Sequence, residues 1–294
     1  MRIARVFPRR TSYTPTDELA FVGPPPLFRP QADEVHVSCV FTWDRPEAER
    51  LAAAWRHYYP VVKLGGPAYD DPGGEFTPGL YTKQGFTTTS RGCPNNCSFC
   101  LVPKREGKLR ELQVRPGYAI QDNNILAASR RHFSAVCEML RSQRRAARFI
   151  GGLEAARLTD WHAEQLRSLR IRELWFACDS DAATKPLRRA IDKLRWLPRG
   201  KLRCYVLCGY RGQSIEQARQ RLQAVWDIGC EPFAMLYRPE GRKAEYPPEW
   251  KRLARQCSRP ALTKLVLSQH WNVKPRSDAC TSLLWTEDQE DAAG

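Results

Sequence analysis

Apolar positions along the chain follow two periods, and the elements lie where one period gives way to the other. Short runs with strand character occur at 3–7, 34–42 and 61–64, with a proline-rich stretch, Gly23-Pro24-Pro25-Pro26, between the first two. Over 45–58 the spacing becomes helical: Ala48, Leu51, Ala52 and Trp55 share one face, and Pro46 sits near the first turn, where its missing N–H costs nothing. The run at 61–64 ends in Gly65-Gly66. This predicts a small β/α unit, and 69–79, rich in Asp, Pro and Gly, reads as the linker out of it.

Beyond Gly85 a strand-then-helix alternation repeats. Strand candidates lie at 86–90, 118–121, 148–150, 173–177, 202–207 and 232–236, roughly 30 residues apart, which is one β/α unit per interval. Phe133, Val136, Cys137 and Leu140 have the spacing of a helix stripe, as do Leu187, Ala190, Ile191 and Leu194. Ser214 with Gln217 forms a capping box ahead of Ile215, Ala218, Leu222 and Val225, and Gly229 is placed to end that helix. Pro247 and Pro248 open another, with Trp250, Leu253, Ala254 and Cys257 inward. The expected fold is α/β: a partial (β/α)6 barrel of parallel strands over 78–272, preceded by a small β/α segment and linker over 1–77. A polar, acidic tail is expected over 273–294, with a short packed piece at 283–285. In such folds ligands gather at the C-terminal ends of the strands.

Composition narrows the classes. The 294 residues are 42% hydrophobic and 10% aromatic, enough for a substantial core. No apolar run exceeds about five residues where about 20 span a bilayer, so no membrane partner is expected. The start, MRIARVFPRR, lacks the apolar stretch of a secretory signal, and a cytoplasmic location with reduced thiols is expected. The net charge is +15, and the excess lies C-terminal to residue 80. A field of that sign favours nucleic acid or nucleotides as partners, although an arginine-rich solvated surface has the same composition.

The eleven cysteines are judged by spacing. Directly after the first strand of the repeat, Cys93, Cys97 and Cys100 fall within eight residues, in Gly92-Cys93-Pro94-Asn95-Asn96-Cys97-Ser98-Phe99-Cys100. Three thiols on one loop suit a soft metal centre, and no nearby Cys or His supplies the fourth ligand of a structural zinc site. This CxxxCxxC, with an aromatic residue before its last cysteine, resembles the radical S-adenosylmethionine (SAM) superfamily over roughly residues 82–240. The resemblance implies a [4Fe–4S] cluster held by Cys93, Cys97 and Cys100, with SAM chelated at the open iron. One electron, from a reductase or flavodoxin-type donor, would cleave SAM to methionine and a 5′-deoxyadenosyl radical that abstracts hydrogen from the substrate. No side chain is then needed as a catalytic group; the protein binds and orients.

The same resemblance assigns SAM contacts by position. Phe99 would set its backbone near the adenine. Asp122 and Asn123 follow the second strand, where family members hold the SAM amino group, although the common glycine-glycine-glutamate is absent and an Asx turn is the simpler alternative. After the third strand, Arg157 offers a planar donor for the SAM carboxylate and Glu154 a partner for it or for the ribose; a surface ion pair is the alternative. Asp179, after the fourth strand, is the candidate for the ribose hydroxyls or methionine, and Gly209, after the fifth, lets the backbone approach the adenine. Cys178, Cys204, Cys208 and Cys230 read as small core residues.

The segment at 61–67 resembles the end of a cobalamin-binding domain, but the stretch is short and lacks an Asp-x-His-x-x-Gly run, so cobalamin is not expected. The residues after Cys100 resemble tRNA methylthiotransferases. Those enzymes carry three further N-terminal cysteines, whereas Cys39 alone precedes Cys93 here, which argues against that assignment. The alternative class is a non-catalytic protein bearing zinc or an iron–sulfur cluster and binding nucleic acid.

Overall fold

The computed structural model describes residues 1–71, 73–241, 244–269 and 271. The first sheet holds β1 (Ile3–Phe7), β2 (Ala20–Val22), β3 (Glu34–Ser38) and β4 (Val62–Gly65), all parallel, in the spatial order β2-β1-β3-β4. In β3 the alternation places Val35 and Val37 inside, with Ala4 and Val6 of β1, beneath the Ala48, Leu51, Ala52 and Trp55 face of α1 (Arg45–Arg56). Trp55 and Tyr59 donate hydrogen bonds to the Gly23 and Pro30 carbonyls at 3.2 and 2.6 Å. These bonds tie down a proline-rich stretch that lacks N–H groups of its own to pair. β2 gave no sequence signal, being three residues long with no buried face.

The second sheet is also parallel. β5 (Phe86–Thr87), β8 (Ala119–Ile120), β9 (Ala147–Leu153), β10 (Ile171–Ala177), β11 (Leu202–Cys208) and β12 (Glu231–Leu236) lie side by side in chain order, and β6 (Ser90–Arg91) pairs antiparallel with β7 (Arg110–Glu111) apart from them. The ladder is open, with β5 and β12 as its edges. α3 (Arg130–Arg141), α4 (Asp160–Arg167), α5 (Thr184–Lys193) and α6 (Ile215–Ile228) connect successive strands from β8 to β12; α7 (Pro248–Gln256) and α8 (Pro260–Ser268) follow. The apolar stripes of α3 to α7 bury against one face of the sheet in the main core. On α6 the Ser214–Gln217 capping box forms, and Gly229 ends the helix at φ 110°.

The other face carries a smaller aromatic layer: Phe86, Trp175, Tyr205 and Phe233, with Trp175 and Tyr205 stacked at 4.4 Å. One layer nearer the strand starts, Arg148, Glu173, Arg203 and Glu231 alternate in sign across four neighbouring strands.

The expected strand at 86–90 breaks after Thr87. Asp122, just past β8, accepts the Thr89 N–H at 2.6 Å and the Thr89 and Ser90 hydroxyls at 2.7 Å each. A side-chain carboxylate thus takes bonds a neighbouring strand would supply, and the chain leaves the sheet for the β6–β7 hairpin. The hairpin and α8 were not read from the sequence. Among the described residues no helix is long and apolar enough to cross a membrane. The expected acidic tail at 273–294 and its packed piece lie outside the described residues.

Candidate active site

The hairpin of β6 and β7 presents the cysteine loop at the C-terminal edge of the second sheet. Gly92 has φ 77°, and a Cβ there would meet the Lys108 carbonyl, so only glycine lets the outgoing and returning strands close. Gly92 donates to Glu106 at 2.8 Å, and Cys93 donates to the Gly107 carbonyl at 3.1 Å. The short helix α2 (Val102–Arg105) closes the loop. Cys97 is exposed, and Cys93 and Cys100 are half-buried. Burial and then the neighbouring thiols and the carboxylates of Asp179 and Glu154 hold the Cys97 thiol above its ordinary range. Burial, Cys93 and Asp179 raise Cys100 in the same way, partly offset by a backbone hydrogen bond and Arg105. Both thiols are thus held in their protonated form by burial and by the acidic groups around them.

Residues from three strand ends meet the loop. Asn124 donates from Nδ2 to Glu154 at 2.6 Å and lies 3.6 Å from the Cys93 sulfur. Glu154 also accepts from Arg157 Nε at 2.6 Å, so Arg157, Glu154, Asn124 and Cys93 form one chain of contacts from β9 to the cysteine loop. Asn124 is 3% exposed and its Oδ1 is a buried acceptor with no hydrogen-bond partner among the described residues. Asn123 donates to Glu106 at 2.6 Å and so props the loop rather than facing its thiols. Asp122 is 1% exposed, with its oxygens engaged by Thr89 and Ser90.

Asp179, following β10, has its pKa raised to about 6 by burial, against a backbone hydrogen bond and Arg221 that lower it. Arg221 of α6 donates to the Asp179 and Leu207 carbonyls at 3.2 Å each, binding the ends of β10 and β11 together. Gly209 has φ 77°, and a Cβ there would press on the Tyr246 ring. Tyr210 beside it touches Phe99 edge-on at 5.7 Å and hydrogen-bonds Ser98 at 3.0 Å, which brings Phe99 and Gly209 to one place. Cys178, Cys204, Cys208 and Cys230 are fully buried, and burial pushes the Cys178 and Cys208 thiols up to about 12, so none is a ready thiolate.

The sequence did not point to Asn124, Glu106, Arg221 or Tyr210. Asn124 had a signal, since it stands two residues beyond Asp122 on the same extended stretch and thus shares its parity. The others depend on contacts 14 to 112 residues away in the chain.

The donor set fits an iron–sulfur cluster in kind: three thiols on one loop, with an orphaned acceptor and a carboxylate beside them. Among the described residues no three His, Cys, Asp or Glu side chains converge to hold a single metal ion. A multi-iron cluster spreads its thiolates more widely than a lone tetrahedral ion does.

No family model matches the chain. It is similar to the tRNA-2-methylthio-N(6)-dimethylallyladenosine synthase of Myxococcus xanthus (strain DK1622). The two are 24% identical over 187 residues, covering 52% of this chain and 40% of that protein. The chain thus spans less than half the length of that relative.

Proposed function

We propose that the protein is a cytoplasmic radical SAM enzyme that modifies RNA, with the six-stranded sheet as its partial barrel. The observation that carries this reading is the CxxxCxxC loop at the C-terminal sheet edge, backed by the chain of Asn124, Glu154 and Arg157 from two further strand ends. The distant likeness to a tRNA-modifying synthase supports both the chemistry and the substrate class, as does the charge of +15.

Cys93, Cys97 and Cys100 would hold a [4Fe–4S] cluster. Bound there with SAM, and reduced by an external donor, it supplies one-electron cleavage to methionine and a 5′-deoxyadenosyl radical for hydrogen abstraction. The orphaned Asn124 Oδ1 and the Glu154 carboxylate suit the SAM amino group, and Arg157, beside Glu154, suits the carboxylate. Asp179 would meet a ribose hydroxyl, and the backbone at Phe99 and Gly209 the adenine. Asp122 and Asn123 contribute by fixing the loop. Methylthiolation itself is not assigned.

The test is anaerobic reconstitution with iron and sulfide, reduction, addition of SAM and quantification of 5′-deoxyadenosine, beside Cys97→Ala. The expected outcome is a brown protein that forms 5′-deoxyadenosine, with formation lost in the variant. A colourless protein holding stoichiometric zinc and leaving SAM intact would move the binding-protein reading into first place.

A further inference from the structure

The C-terminal ends of both sheets carry arginines laid over aromatic rings, and these belong to one surface. After β1 and β3, Arg9 lies over Phe41 at 5.9 Å, Phe41 stacks on Trp43 at 4.7 Å with planes 13° apart, and Arg238 lies over Trp43 at 5.0 Å. Arg238 follows β12 in the second sheet, so this stack joins the two units, and the Gly241 N–H bonds Thr42 Oγ1 at 3.0 Å beside it. The residue before Arg238 is Tyr237, whose ring meets Tyr210 at 4.7 Å. Tyr210 in turn contacts Phe99 of the cysteine loop and lies beneath Arg211 at 5.2 Å.

Two groups of contacts therefore run outward from the candidate cluster, one of Phe99, Tyr210 and Tyr237 and one of Arg238, Trp43 and Phe41, joined through the backbone between Tyr237 and Arg238. Arg9, Arg211 and Arg238 are exposed, while the rings between them are half-buried. Among the described residues Arg238 has no carboxylate partner. A ring stack ordinarily buried in a core is here held at the mouth of the site, ending in a solvent-facing guanidinium plane.

Resting on the enzyme reading above, we propose that this band is the substrate-docking surface and that it binds an unpaired RNA segment. Bases stack on rings and on guanidinium planes, and Arg211 and Arg238 are free to reach the phosphates between them, whereas Arg9 is held by the Asp44 carboxylate. A paired helix keeps its bases stacked inside and cannot use the rings, and an acidic peptide would use the charges alone. The band begins at Phe99, so a base displaced along it arrives beside the cysteine loop.

The experiment uses the full chain and a fluorescent RNA hairpin with an unpaired loop, compared by anisotropy with a perfect duplex of the same length. The hairpin is expected to bind at least about tenfold more tightly than the duplex, and Arg238→Gln and Trp43→Ala each to lose about tenfold on the hairpin alone. Arg238 is exposed, so its variant decides the matter if Trp43→Ala does not fold. Equal binding of hairpin and duplex, unchanged hairpin affinity in Arg238→Gln, or displacement by inorganic polyphosphate as effective as by unlabelled hairpin would overturn the proposal. SAM cleavage without RNA is measured on the same samples. Cleavage retained with hairpin selectivity absent rejects the surface alone, whereas selective binding without cleavage rejects the enzyme reading.

Discussion

Asp122 and Asn124 stand two residues apart and act on the cysteine loop at different points. Asp122 accepts three hydrogen bonds that start the loop, and Asn124 reaches the sulfur of Cys93. Residue type alone marks both as polar groups after a strand; which one is spent on the backbone is settled by Thr89 and Ser90, more than 30 residues earlier. Asp179 yields a prediction at this scale. Its folded pKa of about 6 lies above the ordinary carboxylate value because burial disfavours the charge. The folded state therefore binds more protons than the unfolded state between about pH 4 and 6, and stability falls as pH rises through that window. Asp179→Asn is expected to be more stable than wild type at pH 8 and equal to it near pH 3, as read by denaturant unfolding at the two pH values.

Among the elements, β8 and β9 matter most to the site, since Asp122, Asn124, Glu154 and Arg157 all follow them. Gly151 makes their close approach possible: a Cβ there would land on the Asp122 carbonyl oxygen, a backbone atom that cannot swing aside. Gly151→Ala is expected to cost about 2 kcal/mol of stability and to reduce iron incorporation on reconstitution, measured by unfolding and by iron content. The helices were legible because each buries one stripe against a sheet, so a 3.6-residue period survives in the sequence. β6 and β7 were not legible, because two-residue strands have no period to read and their pairing depends on a carboxylate from another element.

At the scale of the whole molecule, the two parallel sheets meet at their C-terminal ends around Asp70. Arg45 of α1 lies 3.9 Å from it, and Lys104 and Arg105 of α2 approach at 3.9 and 3.5 Å; Lys104 also bridges to Glu240 at 3.0 Å. One carboxylate thus gathers cations from the first unit and from the helix closing the cysteine loop. Each such pair is partly exposed and contributes little, about 1 kcal/mol or less, yet removing the shared anion leaves Arg45 and Arg105 without it while Lys104 keeps Glu240. Asp70→Asn is expected to speed limited proteolysis within 71–85 severalfold at low salt, with the difference shrinking at high salt as the charges are screened.

The parallel α/β character, the six strand positions of the second sheet, the helix faces and the three-cysteine loop were legible in the chain, because these follow from local periodicity and from spacing along a few residues. The net charge of +15 was legible in the same way. Which polar residue contacts Cys93, the joining of Arg157 and Glu154 to Asn124, and the meeting of arginines with rings from other strand ends were set by the fold. Those are distances between residues far apart in the chain, and a hydrogen bond or ring stack leaves no periodic trace in the sequence when its two partners lie on different strands.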